Sequence, residues 1–238
     1  MPITSLVAPP KRETLSANVY AQLKELVLSG QMMPGEQISL RTTATALGVS
    51  VMPVREAMQR LVAEQALELA PNRAIRVPTM SASHFREITK IRIHLEGLAT
   101  EQAATSWTKA DLRQIVECNE NFSSEMSSAE PNGVRLITFN KELHFAIYGA
   151  AYMPLLLQMI EALWLRIGPI LNYDLRAGSR RIKERVAVSH HAALVNALQC
   201  RDGAAARIAL QGDIESAAQF ILLEGGLVSA DPSVALER

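Results

Sequence analysis

Apolar residues in the first third of the chain recur at spacings that alternate between helix and strand periods. Val19, Leu23, Leu26 and Val27 share one helical face that ends at Ser29-Gly30. Met33-Pro34-Gly35-Glu36 has the composition of a tight turn, and Gln37-Ile38 fits a short strand. Leu40, Ala44 and Leu47 resume helical spacing until Gly48, a residue type that ends helices in the left-handed conformation. Val49 then packs into a corner, Ser50 can cap the next helix, and Pro53 sits in its first turn, where a missing N–H costs little. Val54, Met58 and Leu61 give that helix its buried stripe, leaving Arg55 and Gln59 on another face. Ala66 to Leu69 and Ala74 to Val77 alternate around Pro71-Asn72-Arg73, as a hairpin with a polar tip does. Three helices, two of them joined by a tight turn, followed by a hairpin predict a winged helix-turn-helix. The second helix of that motif commonly enters the DNA major groove.

Beyond Pro78-Thr79-Met80-Ser81, which reads as a linker, the pattern is helical to the C-terminus, with Ser83 as the expected first cap. Helices are expected near 83–105, 108–126, 132–150, 153–173, 179–200 and 203–224. The domains are therefore an arm over 1–13, a winged helix over 14–78, an all-α bundle over 79–226 and a tail over 227–238. The fold class is mainly α. Polar residues interrupt the apolar stripes of the second domain. Asn140 and His144 lie one turn apart on the face formed by Leu136, Phe139, Leu143 and Ile147. His191 lies among Ala187, Leu194, Val195 and Leu198, and Asp213 among Leu210, Ile214 and Ala217.

The turn at Asp202-Gly203 brings two of these residues together. His191 precedes Asp202 by the same number of residues as Asp213 follows it, so in an antiparallel pair both stand about 16 Å from the turn, at about 1.5 Å per residue. Asn140, His144, His191 and Asp213 can thus converge on one buried pocket for a ligand or metal ion. A hydrogen-bonded core histidine, or a simple Asp–His contact, fits the same residues. Arg92 and Glu96, one turn apart, can be an i,i+4 ion pair, or Arg92 can grip a carboxylate bidentately. Trp107 and Trp164 read as core.

Composition narrows the classes. The chain has 238 residues, 48% hydrophobic, enough for two domains with proper cores. The net charge is zero, so no global electrostatic field draws the protein to nucleic acid. Residues 1–78 hold eight Lys/Arg against six Glu, a mild basic bias for the predicted DNA module. Cys118 and Cys200 have no metal-ligand spacing and read as reduced interior thiols of a cytoplasmic protein. Leu155 to Leu171, the longest apolar region, is interrupted by Gln158, Glu161, Arg166 and Pro169, and no membrane span is expected.

Ser29-Gly30, Pro34-Gly35-Glu36, Leu47-Gly48-Val49-Ser50, Pro53-Val54-Arg55-Glu56-Ala57, Arg60-Leu61 and Pro71-Asn72-Arg73 resemble, in order and spacing, the N-terminal domain of the GntR family of bacterial transcription regulators. The resemblance implies that Arg41, Ser50, Val51, Met52, Pro53 and Arg55 face operator DNA, with Asn72 and Arg73 at the wing tip. Val51 stands where the family usually has Arg, Ala74 where it has a wing Gly, and Gln65-Ala66 where it has Gly-Leu. Residues 83–224 resemble the FadR-type effector domain called FCD, an all-helical bundle that binds a small organic acid, often over a metal ion. That resemblance implies metal ligation by Asn140, His144, His191 and Asp213, with a neutral Asn140 in place of a carboxylate and Asp213 where the family usually has His. A mixed set of this kind suits zinc, nickel or manganese. It also implies effector contact by Arg92 and Glu96, and a homodimer on double-stranded operator DNA, more often a repressor. A regulator for which the ion itself is the signal, and a small metal-dependent hydrolase using His144, His191 and Asp213, are the alternatives. No nucleophile elbow or His-Glu-x-x-His supports the hydrolase.

Overall fold

The computed structural model of the chain describes residues 15–176, 180–224 and 227–228. The expected arm over 1–13 and nearly all of the tail lie outside the described residues. The head contains α1 (Leu15–Leu28), β1 (Gln37–Ile38), α2 (Leu40–Leu47), α3 (Val51–Ala63), β2 (Glu68–Leu69) and β3 (Ile75–Arg76). Ser39 caps α2 by accepting from the Thr42 N–H at 3.3 Å. Gly48 ends α2 at φ 65°, where a side chain would be strained, and turns the chain into α3. Ser50 holds the N-cap position of α3, but its hydroxyl makes no capping bond. The wing is smaller than its alternating pattern suggests, and β3 sits centrally in an antiparallel order β1-β3-β2. Gln37-Ile38 is therefore the third strand, paired with Arg76 and Ile75.

The remainder is helical: α4 (Ala82–Ser106), α5 (Lys109–Met126), α6 (Gly133–Gly149), α7 (Pro154–Arg176), α8 (Arg180–Glu184), α9 (Val186–Gln199) and α10 (Gly203–Glu224). The helix expected over 179–200 is two pieces, because Arg185 takes a left-handed conformation at φ 52° and breaks it. The cap of α4 is Ser81 rather than Ser83, accepting from the His84 N–H at 3.3 Å. Ser81 also bridges to Val228, beyond α10. Cys118 is buried as expected, whereas Cys200 is exposed at the end of α9.

The main core is continuous between the head and the bundle, running from Val19 in α1 to Ile214 in α10. Such burial, at about 25 cal/mol per Å² of apolar surface, is what holds the two together. By length and composition α7 is apolar enough to cross a membrane, despite the interruptions in its sequence. Its inner residues Ile160, Trp164, Leu165, Ile167 and Ile170 are instead buried within the fold, and α1, α4, α6 and α10 pack on it.

Candidate functional site

Two regions carry chemistry. In the head, Arg41, Val51, Arg55 and Arg73 line one cleft of about 800 Å³ between α3 and the wing, together with Gln59. Arg41 comes from the first turn of α2, Arg55 from the exposed side of α3, and Arg73 from the wing tip at φ 61°. Asn72 shapes that tip by accepting from the Ala74 N–H at 3.0 Å. Met52 is an exposed apolar side chain beside Ser50 at the start of α3, while Val51 and Pro53 are half-buried. Three guanidinium groups on one concave face, at the end of a helix free to enter a groove, match phosphate contact plus base reading. Gln59 sits one turn beyond Arg55 on the same face, and its i+4 spacing in the sequence marks it as a member. Arg55→Ala is expected to weaken binding to operator DNA at least about tenfold in a gel-shift assay while leaving the melting temperature unchanged. Unaltered affinity would contradict the assigned contact.

The second region lies inside the bundle. His144 from α6, His191 from α9 and Asp213 from α10 place their ligand atoms within 4.8 Å of one another, and all three are buried. Asp213 Oδ2 is 3.3 Å from His144 Nε2, and Oδ1 is 3.5 Å from His191 Nε2. The two imidazoles meet edge to face at 5.4 Å, with Phe122 against His191. Burial opposes charge on Asp213, but the facing His191 and His144 hold its carboxyl well below the usual range. Asn140, one turn before His144, has a buried Oδ1 with no hydrogen-bond partner among the described residues.

A chain of donors orients this centre. Glu96 is fully buried on α4, and Arg92 pairs with it bidentately, Nε to Oε1 at 2.6 Å and Nη2 to Oε2 at 3.2 Å. Trp164 Nε1 donates to Oε1 at 3.0 Å, and the Tyr148 hydroxyl donates to Oε2. Four donors thus occupy the Glu96 carboxylate. Burial, then the charge of Glu96, pushes the Tyr148 hydroxyl well above its ordinary range, so it keeps the proton it donates. Its oxygen accepts from His144 Nδ1 at 2.9 Å, because the hydroxyl proton is committed to Glu96, and Nε2 is left as the nitrogen facing Asp213. Burial lowers Arg92 but Glu96 outweighs it, so the guanidinium stays charged. It lies 5.0 Å from the Trp164 ring. The i,i+4 ion pair between Arg92 and Glu96 is therefore real and buried. Tyr148 and Trp164 escape a reading by hydropathy because aromatic residues in apolar stripes look like core. The i+4 spacing of Tyr148 from His144 was the available signal.

A winged-helix head with a basic groove, fused to an all-helical domain with a buried polar centre, defines a DNA-binding transcription regulator. Residues 15–77 match the bacterial regulatory proteins of the gntR family, and residues 87–216 match the FCD domain. The chain belongs to the GntR family and carries its FCD-type second domain. It is 34% identical over 193 residues to the HTH-type transcriptional regulator McbR of Escherichia coli strain K12, covering 81% of this chain and 86% of that protein. The solved structure of E. coli McbR/YncC superposes with a TM-score of 0.81 at 31% identity, over 90% of this chain and 99% of that one. The probable D-xylose utilization operon transcriptional repressor of Paenarthrobacter nicotinovorans is 28% identical over 84% of this chain and 85% of its own length. These relatives are transcription regulators, so the chain is a regulator and the hydrolase alternative falls.

Proposed function

We propose that this regulator is a homodimeric repressor whose hold on operator DNA is set by a small organic acid bound in the FCD domain over a divalent metal ion. The observation that carries the reading is the orientation of His144. The chain Glu96–Tyr148–His144 orients the imidazole so that Nε2 faces the Asp213 carboxylate, as outer partners of metal-binding histidines do. The donor set fits the ion: His144, His191 and Asp213 would hold it, and the unpartnered Asn140 Oδ1 would offer a fourth ligand. Two imidazoles with a carboxylate suit zinc, nickel or manganese. Bound there, the ion supplies a positive centre that an effector carboxylate can approach. Arg92 commits Nε and Nη2 to Glu96, so Nη1 is the arm for that carboxylate, and Glu96 serves by holding Arg92 in place rather than by touching the effector. The protein acts in the cytoplasm, on double-stranded DNA.

The homodimer reading rests on the outer faces of α4 and α7. These helices run antiparallel, since Phe85 and Ile88 pack with Ile167 and Ile170 while Arg92 and Glu96 reach Trp164. Ile91 and Leu98 lie seven residues apart on the exposed side of α4. On α7, Leu155 is 71% and Met159 48% accessible. Exposed apolar side chains on two neighbouring helices suit a self-complementary two-fold contact. Leu155→Glu with Met159→Glu is expected to shift the protein from dimer to monomer in analytical ultracentrifugation. A variant that sediments as the wild type would contradict this face.

The effector reading is tested by a thermal-shift screen of organic acids on zinc- or manganese-loaded protein. A ligand of the native state raises the melting temperature. An acid that does so in wild type but not in His144→Ala/His191→Ala protein is the expected result. Equal shifts in both proteins, or none across the screen, would overturn it.

A further inference from the structure

The DNA-binding head does not hang from the bundle by its linker alone. α1 packs on both α3 and α7, and the α1–α7 contact is unusually close. Gly168 lies there, and a Cβ on it would stand 2.9 Å from the Val27 carbonyl oxygen and 3.3 Å from that of Leu28. Both are backbone atoms at the end of α1, so a side chain would have to displace one helix from the other. Two ion pairs flank this contact. Lys24 meets Glu161 of α7 at 2.8 Å, and its neighbour Glu25 meets Lys141 of α6. Lys24 and Lys141 are both largely shielded from solvent, more so than the average surface pair.

These contacts fall on the turns of α6 and α7 that also hold the polar centre. Lys141 lies between Asn140 and His144, while Glu161 and Gly168 flank Trp164, which donates to Glu96. From α1 the connection continues into α3: Val19, Leu23 and Val27 share one core with Val54, Met58 and Leu61. The recognition helix therefore rides on α1, and α1 rides on α6 and α7.

We infer that Lys141, Glu161 and Gly168 are positioning residues for DNA recognition. They fix where α3 stands relative to the bundle, and so set the separation of the two α3 helices and the spacing of half-sites the dimer accepts. The spacing consequence rests on the homodimer reading above; the clamp within one chain does not.

The test uses full-length wild type, Gly168→Ala, and the surface variant Lys24→Ala/Glu25→Ala, which keeps the test alive if Gly168→Ala does not fold. Each is titrated against a duplex recovered by the wild type from a randomised pool. The same is done with duplexes whose half-sites are moved by about one to three base pairs, and with a single half-site. Wild type is expected to prefer the recovered spacing by at least about tenfold, and the variants by about twofold or less, with half-site affinity unchanged in all three. A merely structural loss would lower half-site affinity as well. Spacing preference equal to wild type in both variants overturns the inference. Sedimentation of the same samples reads the dimer separately. If the wild type is monomeric, the dimer reading falls and the clamp is read from thermal unfolding. One transition in wild type and an earlier, separate transition of the head in the variants supports it; a single unshifted transition in both variants overturns it.

Discussion

Glu96→Ala is expected to destabilise the protein by about 3–5 kcal/mol in chemical denaturation, the range for breaking a buried ion pair by removing one partner. The magnitude follows from what the carboxylate holds. Arg92 is 4% exposed, and its charge would be left without its counter-ion. Tyr148 and Trp164 would each keep a buried donor with no acceptor. Glu96→Gln keeps the shape and part of the hydrogen bonding but loses the charge, so it should fall between wild type and Ala. The Arg207–Glu101 pair on the surface of the bundle gives the contrast, with an expected loss below about 1 kcal/mol when Glu101 becomes Ala. Similar small losses at both positions would mean that the network around Glu96 is not a structural keystone.

His144→Ala combined with His191→Ala is expected to bring bound metal in purified protein from about one ion per chain to background in elemental analysis. Neither Asp213 nor Asn140 could hold a transition metal without the imidazoles, because one carboxylate and one amide oxygen leave too few donors. Tyr148→Phe is the subtler variant. It spares all four proposed ligands and removes the acceptor of the His144 Nδ1 proton, together with one of the four donors to Glu96. A drop of about 10–100-fold in metal affinity is the expected consequence of losing such an outer partner. A stoichiometric ion retained by the double variant would contradict the assignment of ligands.

Much of the fold was legible because its signals were local. Gly48, the Val54–Met58–Leu61 stripe and the alternation around Asn72 each specify their element through a short-range rule, and the head formed accordingly. The convergence of His191 and Asp213 was legible for a different reason. One turn at Asp202-Gly203 and equal arm lengths determine which residues of an antiparallel pair meet. What failed depended on contacts beyond the segment. The break at Arg185 falls in a run with good helix formers on both sides, so no propensity marks it. Ser81 and Ser83 are equivalent as caps by type, and only the chain path chooses Ser81. Whether Arg92 would pair with Glu96 or grip a carboxylate stayed open in the sequence, because the other donors that hold Glu96, Tyr148 and Trp164, come from other helices. The outer stripe of α7 is a further case. Its apolar run carries no sign of which residues turn outward, and Leu155 and Met159 are exposed.

The most direct test is reciprocal linkage. If occupancy of the His144–His191–Asp213 centre biases the head, affinity for the site's ligand must differ between free and operator-bound protein by the same factor by which that ligand changes operator affinity. Zinc or manganese, with the organic acid found by the thermal screen, is titrated calorimetrically into the protein alone and into its complex with the recovered duplex. The expected result is weaker binding to the complex, by about 5–150-fold, the usual range of allosteric coupling. Identical titrations in the two states would contradict it.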